Sequence, residues 1–452
     1  MPPSLTVSPH MALFDQDVSI KIAGLSAGVR AQIRVSFTDT EGVIWASEAT
    51  FSANENGAID VAHTPSEDGT YTGVDAMGLF WSMRPQVDGQ IVSTEAFLAM
   101  RRQSASKFMQ LGRPALSGRQ TNDIKIAVHL EAQCVAEHVY TQAYVNDDIE
   151  MRSLLDETGL AARIYIPNSH PKGGIITLTG SNGGYEEAHA RLLASHGYLT
   201  MSLALFAAEG VPEHMVALPL EYVERALDWM SEQLNGQKAG MIGWSKGAET
   251  VLVAAAYLGG KVGAIASCLP CHVVMNGTDG SANYDQDGWT WKGKALPYHL
   301  LATPAEAMQA LQAIGYTPGD PLPLRAAFEA GYQRVKPDTI IPIERAACPI
   351  LLLSGGDDQN WPSDYSCKVL KQRLDEAEYG HHVEWLDYPS AGHLISAPNT
   401  IRTGSVEVLH PIRKDFVLCG GSPQANAQAS HDSWPKIMAF FEQSLSDQRS
   451  CR

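Results

Sequence analysis

Gly243-Trp244-Ser245-Lys246-Gly247 reads G-x-S-x-G, and its flanks narrow what the chain around it can fold into. A short apolar run from Gly240 to Gly243 precedes it, and Ala248 to Leu258 follows at helical spacing. Strand, sharp turn and helix in that order make a nucleophile elbow. The turn lifts the serine oxygen over the end of a sheet, and the two glycines leave room for the backbone to close. A bare G-x-S-x-G arises by chance in roughly one chain of this length in seven, at Gly and Ser frequencies of ~7%. The elbow therefore predicts acyl-transfer chemistry only if a base, an acid and an oxyanion hole follow in the right places.

A serine hydroxyl is a weak nucleophile until a base accepts its proton, and the base needs an acid to fix its tautomer. In an α/β-hydrolase the chain order is Ser, then Asp or Glu, then His. The apolar run Ile350 to Leu353 reads as a late strand, and Ser354-Gly355-Gly356-Asp357-Asp358 leaves its end. Either aspartate can be the acid. Asp358 fits a G-x-x-D-x-x-x-P loop, counted from Gly355 to Pro362; Asp357 otherwise reads as a turn carboxylate. His393 follows the strand candidate Val383 to Tyr388, between the small residues Ala391-Gly392 and Leu394. Among the 15 histidines, His381, His382, His410 and His431 lack that combination.

Two N–H donors should face the developing oxyanion. One is expected from Lys246, the residue after the nucleophile. The other is expected from the loop Thr179-Gly180-Ser181-Asn182-Gly183-Gly184, with the Ser181 amide ahead of that of Asn182. A phosphate loop is the other use of such glycines, but no G-K-[ST] follows and the spacing is not G-x-G-x-x-G. The catalytic set is thus Ser245, Asp358 and His393, and it calls for no cofactor and no metal.

The first ~130 residues read as all-β, with strands at Val18 to Ile22, Gln32 to Thr38, Ile44 to Phe51, Ile91 to Leu98 and Ile124 to Leu130. Turn signals at Gly24, Glu41-Gly42, Asn56-Gly57 and Asp88-Gly89 separate them, a spacing that suggests an immunoglobulin-like sandwich and no helix. From Cys134 the pattern becomes α/β, opening with strands at Ala136 to Tyr144 and Ala161 to Ile166. The predicted division is a sandwich over 1–133 and an α/β-hydrolase domain over 134–452. Helices are expected at Tyr185 to His196, Leu218 to Leu234 and Ser433 to Leu445. A lid-like insertion rich in Gly, Pro, Asn and Asp is expected at about 269–341.

A formal net charge of -17 argues against nucleic acid as a partner. Arg101, Arg102 and Lys107 make one local basic patch, read as solvated surface. No run of about eighteen apolar residues predicts a membrane span. Seven scattered cysteines, with no signal-peptide pattern in Met1 to Asp17, suggest reduced thiols in a cytoplasm. Cys268-Leu269-Pro270-Cys271 has redox-motif spacing, but nothing around it supports that use.

Strings along nearly the whole chain resemble the type I acyl-CoA thioesterases and bile acid-CoA:amino acid N-acyltransferases. Ala12-Leu13-Phe14-Asp15 and Met77-Gly78-Leu79-Phe80-Trp81 are similar to that family's β-sandwich domain. Gly243 to Glu249 resembles its nucleophile segment, Gly355 to Trp361 its acid loop, and Tyr388-Pro389 with Ala391 to Ile395 its histidine loop. Gly420-Gly421 and Asp432-Ser433-Trp434 resemble its carboxy-terminal segment. The insertion departs from the pattern up to Ile341-Pro342-Ile343-Glu344-Arg345, and Ser181-Asn182 stands where a more glycine-rich or apolar sequence is expected.

The resemblance implies an acyl-CoA substrate and either hydrolysis or transfer to an amine. The family's bile-acid transferases look to have cysteine where this chain has Ser245. An acyl-cysteine keeps thioester reactivity toward amines, whereas an acyl-serine is an oxygen ester that activated water can cleave. Hydrolysis is therefore the expected reaction. Transfer to an amino acid, amine or alcohol, or esterase or peptidase action on a substrate without CoA, are the alternatives.

Overall fold

The computed structural model describes residues 2–103, 120–281, 285–300 and 302–450, so Lys107 and Cys451 lie outside the described residues. The chain forms two compact units. One takes residues 1–147 and the later segments 396–406 and 422–431; the other takes 148–395, 407–421 and 432–452.

The first unit is a sandwich of two sheets around one core. Ser4–Ser8, Ser19–Ala23 and Ile59–Asp60 make an antiparallel three-stranded sheet. The larger sheet runs Met11–Leu13, Gln133–Ala143, Thr121–Leu130, Arg30–Thr38, Ile44–Ser52, Arg84–Val87, Gln90–Ile91, with Asp68–Gly69 also on Ile44–Ser52. Arg30–Thr38 shows why such a strand forms. Ala31, Ile33, Val35 and Phe37 are buried, while the residues between them face outward. They pack with Ile20, Ile22, Phe51, Ile126 and Tyr140 in one cluster.

The second unit is built on eight strands: β1 (Glu150–Ser153), β2 (Ala162–Ile166), β3 (Gly174–Leu178), β4 (Leu199–Leu203), β5 (Gly240–Trp244), β6 (Ala264–Cys268), β7 (Ile350–Gly355) and β8 (Val383–Tyr388). Their order in the sheet is β1-β2-β4-β3-β5-β6-β7-β8. β1 and β2 are antiparallel to their neighbours, and the pairings from β4 through β8 are parallel. Every residue of β3, β4, β6 and β7 is buried, as expected for parallel strands covered on both faces. Helices α1 (Glu187–Ser195), α2 (Leu220–Gln233), α3 (Lys246–Leu258), α4 (Pro304–Ala313), α5 (Leu324–Tyr332), α6 (Ser363–Glu376) and α7 (Pro423–Ser450) follow in sequence. The connection after β3 runs to one side and the next one crosses back to β5. A crevice therefore opens at the carboxyl ends of β3 and β5, where α/β sheets bind ligands. This order, with β2 alone running against the other seven strands, is the α/β-hydrolase arrangement.

Several sequence expectations change. Ile91 to Leu98 is not a strand, because Thr94–Gln103 is helical. Ser93 caps it, its Oγ accepting from the Ala96 N–H at 3.0 Å. Glu95 in the first turn and Arg101 and Arg102 in the last suit the helix dipole. Gln133–Ala143 does not open the catalytic sheet either. It turns back at Glu131, which has φ +50°, and pairs antiparallel with Thr121–Leu130. A boundary after residue 133 would cut that hairpin, and the first unit continues to Asp147. The insertion is more regular than its composition suggested. Thr303-Pro304-Ala305-Glu306 forms a complete capping box that starts α4, a signal the sequence carried. The last helix begins ten residues before Ser433, with Pro423 in its first turn and Pro435 inside it. Among the described residues, no helix is long and apolar enough to cross a membrane.

Candidate active site

β5 ends at Trp244 and α3 starts at Lys246, so Ser245 alone makes the turn. Its backbone sits at φ +56° and ψ −118°, a conformation costing of order 1–3 kcal/mol for a residue with a side chain. The surroundings hold it there. The Ser245 N–H donates to the Cys268 carbonyl at 3.0 Å, and its carbonyl accepts from the Ala248 N–H at 2.9 Å. Gly247 is needed for close approach: a Cβ there would lie 2.5 Å from the Thr179 carbonyl oxygen and 2.7 Å from that of Leu178. The α3 amino terminus thus packs directly on the end of β3.

Three strand ends bring Asp358, His393 and Ser245 together. His393 Nε2 lies 2.9 Å from Ser245 Oγ, and His393 Nδ1 lies 2.8 Å from Asp358 Oδ2. His393 is 4% exposed and Asp358 is fully buried. The other carboxylate oxygen, Oδ1, accepts from the amides of Asn360 at 3.0 Å and Trp361 at 3.2 Å. These three contacts fix the plane of the carboxylate and aim one oxygen at the imidazole. The His393 amide donates to the Cys419 carbonyl at 2.8 Å, and the Trp361 ring stands edge-on to the imidazole at 5.3 Å.

Asp357 is turned elsewhere. Its carboxylate accepts from the Gly421 N–H at 2.9 Å and from Gln359 Nε2 at 2.7 Å. The two aspartates of the loop therefore have separate partners, and only Asp358 meets the histidine. Of the competing histidines, His431 pairs with Asp17 and His381 and His382 are exposed. Burial pushes His410 down to about 4.

The segments that carry the two expected donors start beside the serine, at Lys246 and at Gly180. Lys246 is the first residue of α3, and a first-turn N–H has no acceptor within its helix. On the other side, a Cβ on Gly180 would stand 3.1 Å from Ser245 Cβ and 3.6 Å from Oγ. Ser181 follows it, half-buried, while Asn182 is exposed. Neither of those two amides has an acceptor among the described residues.

Two features escaped the sequence reading. Lys246 is 5% exposed and Glu249 fully buried, with Nζ 2.6 Å from Oε2. Glu249 Oε1 also accepts from Trp289 Nε1 at 3.0 Å and from the Met275 amide at 3.1 Å. Lys246 and Glu249 are three apart on a helix, so the i,i+3 spacing was the available signal. Arg325, in the insertion, had none: it donates to the carbonyls of Gly356 and Asp358 in the acid loop. Cys268 and Cys271 are free and buried, and burial pushes both thiols up, away from reactivity.

Two family models match the chain. "Bile_Hydr_Trans", the acyl-CoA thioester hydrolase/BAAT N-terminal region, covers residues 15–152, and "BAAT_C", the BAAT/acyl-CoA thioester hydrolase C terminal, covers 218–447. Acyl-coenzyme A thioesterase 6 of Mus musculus is 28% identical, over 100% of this chain and 99% of its own length. Acyl-coenzyme A thioesterase 2, mitochondrial, from the same animal is 26% identical over 98% of this chain and 89% of its own. The peroxisomal succinyl-coenzyme A thioesterase of Mus musculus is 26% identical over the full length of both. With an α/β-hydrolase sheet, a preceding β-sandwich and a model match over more than half its length, the chain belongs to the BAAT/acyl-CoA thioester hydrolase family.

Proposed function

We propose that the protein hydrolyses an acyl-CoA thioester to the free acid and CoA, with Ser245 as nucleophile, His393 as base and Asp358 as the acid that orients it. The observation that carries this reading is the unbroken series Ser245 Oγ, His393 Nε2, His393 Nδ1, Asp358 Oδ2, with steps of 2.9 Å and 2.8 Å across its two hydrogen bonds. Ser245 Oγ–H donates to Nε2 as the oxygen attacks the thioester carbonyl, and Nδ1–H donates to Asp358 throughout. The amides of Lys246 and Ser181 receive the oxyanion; one such donor is worth about 3–4 kcal/mol of barrier. CoA leaves as its thiol, the sulfur taking from His393 Nε2 the proton that came from Ser245; a thiol pKa of ~8.5 makes it a good leaving group and leaves the imidazole neutral. An acyl ester of Ser245 remains. His393 then draws a proton from water, which releases the acid and restores the serine.

A panel of acyl-CoA substrates assayed for thiol and acid together tests the proposal. Thiol and acid should appear in equal amounts, and a brief quench should leave the acyl mass on the Ser245 peptide. Conjugate exceeding free acid in the presence of an amino acid, amine or alcohol would convict the transferase reading instead. Oxygen esters turned over much faster than CoA thioesters would remove CoA from the proposal.

A further inference from the structure

Helix α5 of the insertion meets the acid loop through both main chain and side chain. The Arg325 amide donates to the Gln359 carbonyl at 3.0 Å. Its Nη1 donates to the Gly356 carbonyl at 3.1 Å and to the Asp358 carbonyl at 3.2 Å. The rest of the guanidinium is fixed as well, Nε by Glu329 at 2.8 Å and Nη2 by Asp364 at 3.1 Å. One turn further on, the Phe328 ring stands edge-on to Trp361 at 5.6 Å, and Trp361 stands edge-on to His393. A single helix thus backs both the acid and the base.

The internal contacts of the acid loop leave a task for that helix. The amides holding Asp358 Oδ1 belong to Asn360 and Trp361, in the same loop, so they orient the carboxylate within the loop but travel with it. Arg325 fastens the Gly356 carbonyl and the aspartate's own carbonyl to a separate element. Its planar fork spans two carbonyls and two carboxylates at once, which a lysine ammonium on a flexible stem cannot do. We infer that Arg325 is a positioning residue for the reaction: it sets Asp358 Oδ2 against His393 Nδ1, so the insertion takes part in turnover. This rests on the reading of Ser245, His393 and Asp358 proposed above.

A double-mutant cycle on the full chain tests it, with kcat and KM measured on one acyl-CoA. Arg325→Met should lower kcat about 100-fold, the scale of an ångström-sized misplacement, with little change in KM. Arg325→Lys should recover only a small part. In an Asp358→Asn background Arg325→Met should cost almost nothing further, because the interaction it supports is already gone. The same fold-loss in both backgrounds, or an unchanged kcat in Arg325→Met, overturns the inference. If Arg325→Met does not fold, as judged by its thermal transition, Arg325→Gln and Arg325→Lys carry the same cycle with the same criteria. Ser245→Ala separates the two levels. Retained turnover there overturns the reading of the site and the inference with it, whereas lost turnover with an additive Arg325 cycle overturns the inference alone.

Discussion

The two large sheets use their side chains in opposite ways. In the sandwich, a strand such as Arg30–Thr38 buries every second residue and gives the others to solvent, so polar groups lie along its whole length. In the catalytic unit β3, β4, β6 and β7 are buried from end to end, and polar chemistry is pushed to the loops at their carboxyl ends. Ser245, the Ser181 loop, Asp358 and His393 leave β5, β3, β7 and β8 in that way. This difference in burial makes the sandwich tolerant along its strands and the hydrolase sheet intolerant at its ends.

That contrast breaks most sharply at the serine. Ser245→Ala should reduce thioesterase turnover by about 10⁴–10⁶-fold, and adding His393→Ala should reduce it little more. Additive losses would mean that the two residues do not act as a unit. Next in size is the buried pair. Glu249→Gln leaves the Lys246 ammonium buried without its counter-charge, and breaking such a pair is expected to cost about 3–5 kcal/mol, read from denaturant unfolding. In the sandwich, Arg30→Gln removes the ion pairs with Glu67 and Asp68, which are more than a third exposed, and should leave the unfolding midpoint where it was. Equal effects at the two sites would erase the comparison.

Glycines sharpen it further. Gly247→Ala drives a Cβ into backbone oxygens of the β3 end, and overpacking of this kind is expected to cost about 1–3 kcal/mol together with much of the activity. Gly42→Ala in the sandwich, at φ +80° with nothing within 4 Å, should cost only its left-handed backbone, about 1 kcal/mol, with activity kept. A pH effect in the catalytic unit completes the comparison. Burial holds His272, His299 and His410 down at about 4, against an ordinary 6.5. Between those values the unfolded chain binds protons that the folded one refuses, so stability is lost as pH falls through that window. The thermal midpoint should drop from pH 6.5 to pH 4. His410→Asn, whose amide oxygen can still accept from the Ile412 and Arg413 N–H groups, should flatten the drop. A midpoint level across that range counts against the assignment.

What was legible in the sequence follows the same division. Glycines and small residues at strand ends mark the elbow, the acid loop and the histidine loop, because those turns admit few side chains. Asp357 and Asp358 could be ranked by loop spacing; in the structure Asp358 meets His393, whereas Asp357 meets Gly421 and Gln359. The helix at Thr94–Gln103 resembles a strand in sequence because Ile91, Val92 and Phe97 dominate the window, while the helix signal rests on the single Ser93 cap. Arg325 was out of reach for another reason. Its partners are main-chain carbonyls more than thirty residues away, and no local pattern encodes a bond to a carbonyl.

The sandwich is closed by chain that is made late. Arg402 N–H donates to the Trp81 carbonyl, Thr403 Oγ1 to that of Met83, and Arg101 Nη1 to that of Gly404. During synthesis the first 147 residues emerge without those partners and wait while about 250 more are made, at ~5–20 residues per second some tens of seconds. For that time the ribosome displays a sandwich with open carbonyls and uncovered apolar surface. The order of genetic encoding thus opposes the order of assembly. Early termination anywhere before residue 396 should yield a chaperone client rather than a free-standing amino-terminal domain.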